Sequence, residues 1–235
     1  MIEHIEQGTL APNIRACIAL TSWKKRINTV GLTIYNLFET CGSDYHIVLT
    51  LAEEEFPKKE QELPRDLVLM NKAGVFEILW VKNNWKSFKK WIFSSIRFPK
   101  VPVISADDDC IYSTNYADKL YVKWQSNRHS IITNDGMPNA KYGISWGRGP
   151  NTLYPPCFAK FIYNDNILKK LLGFVNLDIT EDDSFYGWVA HLHDIHIIDI
   201  GEPCFYVFHD TIEGLTANRN VDFVTAFNLY QSFLK

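Results

Sequence analysis

Short apolar runs at residues 14–20, 46–51, 76–81 and 102–106, and again at 130–133, alternate with longer stretches of helical spacing. Runs this short, bounded by small or polar residues, read as buried strands. Between them, 29–38 places Val30, Ile34, Leu37 and Phe38 at helical intervals, and 86–98 reads as a helix stopped by Pro99. A further helix, capped by Ser113 or Thr114, extends to about Trp124. Strands that alternate with helices are joined by crossovers, which makes the chain an α/β fold: a mixed, mainly parallel sheet covered by helices on both faces. Residues 53–65, charged and interrupted by Pro57 and Pro64, read as a surface connection.

The second half has another texture. Residues 135–156 collect Gly136, Pro138, Gly143, Gly147, Gly149, Pro150 and Asn151, with Trp146 and Tyr154 among them. A connection that long in a compact chain is usually functional or mobile. Helices near 164–172 and 181–192, strands at 196–200 and 205–208 and a closing helix at 221–234 complete the expected order.

Composition narrows the partners. At 235 residues the chain is expected to be one domain. A net charge of −3 lacks the basic footprint of broad nucleic-acid binding, so no nucleic-acid partner is expected. Any anionic ligand must then be met by a few local cations or through a metal ion. Five cysteines without a Cys-x-x-Cys pair argue against a disulfide framework and a structural zinc site. The start of the chain carries Glu3, His4 and Glu6 in place of a basic region and an apolar run, and no apolar run approaches a membrane span of ~18 residues. A soluble, cytoplasmic protein is expected, with work at a membrane surface left open.

The run at 102–106 leads straight into Asp107, Asp108 and Asp109. Ligands of open α/β sheets collect at the carboxyl ends of strands. In an extended segment, Asp107 and Asp109 point the same way and can face one ligand. One aspartate there would be an ordinary turn or cap residue. Three together repel one another unless a cation joins them, and Mg²⁺ or Mn²⁺ takes carboxylate oxygens together with substrate phosphates.

This strand, Asp-Asp-Asp and helix arrangement resembles the Asp-x-Asp motif of glycosyltransferases with the GT-A fold. The segment Ala19-Leu20-Thr21-Ser22-Trp23-Lys24-Lys25-Arg26-Ile27 looks like the opening of a bacterial, family 2-like group of surface-polysaccharide enzymes. Lys86-Ser87-Phe88-Lys89-Lys90-Trp91, Leu153-Tyr154-Pro155-Pro156 and Asp182-Asp183 match further segments of that pattern in order. The likeness covers residues 14–208. Where a run of small residues is expected before Leu153, the chain has Gly149-Pro150-Asn151-Thr152.

The resemblance implies a nucleotide-binding half over about 1–133 and an acceptor and catalytic half over about 134–235. It implies a nucleotide-sugar donor, UDP on family grounds, and a glycan or lipid-linked acceptor in capsule or lipopolysaccharide synthesis at the inner face of the membrane. Mn²⁺ or Mg²⁺ would sit on Asp109 and Asp107, with Asp107 alternatively on the ribose and Asp108 behind the ligands or on the donor sugar. His209, after the strand at 205–208, is a candidate further ligand, although a lone histidine there is as often a surface or core residue. Thr21, Arg26, Lys89 and Lys90 are candidate donor contacts, although helical lysines are commonly solvated. Asp182 or Asp183 would be the base of an inverting reaction. Thr180 with Asp183 also forms a capping-box pattern, and if Asp183 caps, Asp182 is the better base, kept ionised by the helix N-terminus. The rival readings are a sugar-phosphate nucleotidyltransferase, which lacks its glycine-rich loop here, and a non-catalytic carbohydrate-binding partner.

Overall fold

Aliphatic residues on both sides of the short strands require cover on both faces, and the structure, a computed structural model, provides it. It describes residues 2–139, 144–147, 149–176, 181–201 and 205–207. In chain order the elements are β1 (Ala16–Thr21), α1 (Val30–Cys41), β2 (Tyr45–Ala52), α2 (Arg65–Lys72), β3 (Glu77–Val81) and α3 (Phe88–Arg97). Then come β4 (Val103–Ser105), β5 (Cys110–Tyr112), α4 (Tyr116–Gln125), β6 (Ile131–Thr133), β7 (Gly136–Asn139), β8 (Ile144–Gly147) and β9 (Thr152–Tyr154). Last are α5 (Ala159–Ile162), α6 (Asp165–Asn176), α7 (Asp182–Leu192), β10 (Ile197–Asp199) and β11 (Phe205–Val207).

Seven strands form one sheet in the order β10-β6-β9-β4-β1-β2-β3. All run parallel except β9, which is antiparallel to both β4 and β6. The expected mixed, mainly parallel sheet flanked by helices is therefore observed. Side-chain alternation divides the core. Cys17, Ala19, Val48 and Val103 face α3, α6 and α7, whereas Ala16, Ile18, Leu20, Leu49 and Ile104 face α1, α2 and α4. Among the described residues, no helix is long and apolar enough to cross a membrane.

Several expectations needed revision. The charged stretch 53–65 is a surface connection as expected, but it leads into a helix that was not, α2, which starts after Pro64 and buries only Leu67. A helix with one buried residue leaves almost no apolar periodicity to read. The stretch 135–156 is no plain loop, since it forms the hairpin β7–β8 and then the central strand β9. A strand of three residues, lying between Pro150 and Pro155, carries too little pattern to announce itself. Helix α4 starts at Tyr116, after Asn115 in a left-handed conformation (φ 67°), and neither Ser113 nor Thr114 is its N-cap. Asparagine tolerates that conformation, and the buried Tyr116 hydroxyl is anchored to the Ser105 and Pro150 carbonyls. The helix expected at 221–234 lies outside the described residues.

Candidate active site

Because β9 runs against its neighbours, its amino end meets the carboxyl ends of β4 and β6. Ser105 closes this junction, its hydroxyl donating to the carbonyls of Gly149 and Thr152. Residues 149–151 thus lie beside Asp107. Underneath, Trp91 of α3 packs against Tyr186 of α7 (5.0 Å between centroids), and Phe88 against Phe185 (5.6 Å). That aromatic layer brings the start of α3, with Lys90, to the start of α7, with Asp182 and Asp183.

The three aspartates do not continue the strand. β4 ends at Ser105, and the chain turns at Asp108 and Asp109 before β5. Thr33 holds the turn by donating to the carbonyls of Asp108 (3.1 Å) and Cys110 (2.9 Å). The Asp107 N–H donates to the Tyr112 hydroxyl at 2.8 Å. Two-residue alternation therefore fails here, and Asp107 and Asp109 are directed to different cations.

Arg26 takes two of the three. Its Nη2 lies 2.6 Å from Asp108 Oδ1 and its Nη1 2.5 Å from Asp109 Oδ2. Asp108 is 1% exposed, and burial pushes its carboxyl up to about 7 against the pull of Arg26. Asp107 belongs to the other cluster. Its Oδ1 lies 2.7 Å from Lys90 Nζ, which is also 3.3 Å from Asp182 Oδ2. Burial alone would lower the Lys90 pKa, but Asp107 and Asp182 hold it well above the ordinary lysine value. Asp182 is 5% exposed, and its carboxyl is raised by burial and opposed by Lys90.

Asp183 accepts a hydrogen bond from the Gly149 N–H at 3.2 Å, and the N-cap of α7 is Glu181, without a side-chain cap bond. Thr180 lies outside the described residues. Part of Asp183 meets solvent, yet enough water is withdrawn, with Asp182 adjacent, to push its carboxyl up to about 7. Burial thus outweighs the helix N-terminus that was expected to keep this pair readily ionised.

The other candidates stand apart. The Thr21 hydroxyl donates to the Thr50 carbonyl at 2.8 Å. Lys89 is buried, its Nζ 3.0 Å from Asn84 Oδ1 and 3.5 Å from Glu55 Oε2, and burial lowers its pKa against the pull of Glu55. His209 lies outside the described residues. The structure therefore joins Lys90, Asp107, Asp182 and Asp183, sets Arg26 with Asp108 and Asp109 beside them, and leaves Thr21 and Lys89 with other partners. Sequence reasoning did not single out Gly149, Ser105 or Tyr112. The signal for Gly149 was present in the glycine among prolines before β9, a place where backbones approach closely.

Among the described residues, no group of three or more His, Cys, Asp or Glu side chains is arranged to hold a metal. The carboxylates still suit a hard cation that takes oxygens from phosphates too. Five acids (Asp107, Asp108, Asp109, Asp182 and Asp183) meet two cations here. No described residue hydrogen-bonds Asp107 Oδ2, on a side chain 35% exposed.

No protein-family model and no curated protein matches the chain. Among solved structures it is similar to GalNAc-T7, crystallised with UDP, GalNAc and Mn²⁺, at 13% identity and a TM-score of 0.42. The overlap covers 60% of this chain and 25% of that one. A likeness this slight assigns neither family nor activity.

Proposed function

We propose that the chain is a glycosyltransferase that moves a sugar from a nucleotide-sugar donor, with UDP as the expected carrier, to a glycan or lipid-linked acceptor. One observation carries the reading. The acidic turn after β4 and the acidic start of α7 meet around Lys90 at the carboxyl edge of a mainly parallel sheet. A diphosphate and an acceptor hydroxyl can then be served by the two acidic segments, one each.

Asp107, with His209, would hold Mn²⁺ or Mg²⁺, which when bound supplies Lewis-acid neutralisation of the departing diphosphate, whereas Asp109, expected from the sequence to join them, is held by Arg26. Lys90 adds a positive charge on the same side. Of the two candidate bases, Asp183 is favoured. Asp182 is committed to Lys90, whereas Asp183 is held by one backbone N–H and reaches solvent. A carboxylate near pH 7 in proton affinity suits general-base work. The acceptor oxygen attacks the anomeric carbon, its proton passes to Asp183, and the electron pair of the broken bond leaves with the nucleoside diphosphate. Attack opposite the leaving group inverts the anomeric centre.

Surface-polysaccharide synthesis on the cytoplasmic side of a membrane is the setting proposed for this reaction, with peripheral membrane contact. The nucleotidyltransferase reading is less well supported. The segment after β1 is a glycine-free turn whose Arg26 is spent on Asp108 and Asp109.

Calorimetry with UDP, GDP and CDP, each with and without Mn²⁺, tests the proposal. Binding of one nucleotide that depends on metal is the expected result. A folded protein that binds none of the three would leave a carbohydrate-binding role as the better reading.

A further inference from the structure

Lys90 occupies an unusual position, with its ammonium buried between Asp107 and Asp182 and 4% of its side chain exposed. Its roof is Gly149. A Cβ there would lie 3.1 Å from Lys90 Nζ and 3.5 Å from both Asp107 carboxylate oxygens. The glycine is thus fitted to the lysine: its bare Cα lets the ammonium reach Asp107. Its N–H holds Asp183, and its carbonyl is fixed by Ser105.

We infer that Lys90 is a resident cation that competes with a divalent metal for Asp107, so that metal binding depends on the nucleotide. The inference rests on the donor-site reading above and deepens it. An ammonium 2.7 Å from Asp107 Oδ1 already neutralises much of the charge a metal would seek there. A second cation placed beside it meets like-charge repulsion. A diphosphate changes that balance, because its oxygens offer Lys90 a new anionic partner. Drawing the ammonium towards phosphate frees Asp107, whose carboxylate would then be able to hold the metal alongside the phosphate oxygens. Metal without nucleotide is disfavoured by the same contact that later helps hold the diphosphate.

The test uses Mn²⁺ alone, titrated at pH 8 so that the carboxylates are ionised, with binding followed by calorimetry or the electron-spin signal of free Mn²⁺. Lys90→Met should bind Mn²⁺ about tenfold or more tightly than the wild type, since a neighbouring positive charge is gone. UDP in saturating Mn²⁺ should bind that variant more weakly. Unchanged or weaker Mn²⁺ binding by a folded Lys90→Met protein would overturn the inference. If that variant fails to fold, Gly149→Ala decides, because it keeps every charge and only crowds the ammonium. It should shift Mn²⁺ affinity in the same direction by a smaller factor, and no shift would overturn the inference. Failure of the wild type to bind any nucleotide would count against the glycosyltransferase reading, whereas the Mn²⁺ comparison needs no nucleotide.

Discussion

Two ion clusters lie side by side at the carboxyl edge of the sheet and share one run of three aspartates. In the first, Arg26 grips Asp108 and Asp109 in a buried pocket beneath α1. In the second, Lys90 links Asp107 to Asp182, with Asp183 beside them on the Gly149 N–H. The first has a guanidinium fork that matches two carboxylates geometrically. The second has a single ammonium among more negative charge than it can balance. The difference teaches that a run of identical residues can divide its work. Asp108 is tied into the turn, and Asp107 is left partly open to solvent beside Lys90.

The largest expected effect tests the buried cluster. Arg26→Ala leaves the Asp108 carboxyl without its ion partner in the interior, and breaking a buried pair from one side typically costs about 3–5 kcal/mol. A melting temperature lower by roughly 10 °C is expected at neutral pH. A loss of only a degree or two would mean that the pocket admits water and that the two clusters are less distinct than their burial implies.

A smaller effect concerns pH. The Asp183 carboxyl is raised to about 7 in the folded chain, from an unfolded value near 4. The native state therefore binds this proton more tightly than the unfolded chain. The associated stability is complete below about pH 4 and is lost as pH rises through 7. Asp183→Asn should raise the melting temperature at pH 8 by on the order of a few degrees and change it little near pH 4. An equal gain at both values would assign the effect to packing and not to charge.

The smallest effect comes from the same sheet edge but outside both clusters. Thr21→Val removes the hydroxyl that donates to the Thr50 carbonyl, a loss of about 1 kcal/mol. Nucleotide affinity should stay within about threefold of the wild type, judged by its effect on the donor-side contacts. A larger drop would place Thr21 in the nucleotide site and extend the ligand-facing region to β1.

The sheet was legible because its parallel strands are long enough, or apolar enough, to show as runs between helices. β9 was not, because three residues between prolines carry no period, and its reversed direction is what delivers Gly149 to Lys90. The acidic motifs could be read from residue order, as could the place of Asp107 just beyond a strand's carboxyl end. Their partners could not. Nothing in the local sequence tells that Arg26, 83 positions away from Asp109, closes on it, or that two adjacent lysines diverge to Glu55 and Asp107. The pairing of Lys90 with Asp182 depends on how α3 packs against α7 through the aromatic core, and the others on contacts between segments far apart in the chain.

The central claim is that this site transfers sugar with Asp183 as its base, and one paired measurement tests it most directly. Nucleoside diphosphate release from a panel of UDP-, GDP- and CDP-sugars would be followed by mass spectrometry, with glycan and lipid-linked acceptors, in wild type and Asp183→Asn. The expected result is turnover of one donor by the wild type and a loss of roughly 10²–10⁴-fold in the variant, with nucleotide and Mn²⁺ binding retained. Equal turnover in both proteins, or a parallel loss of nucleotide binding, would contradict that role for Asp183.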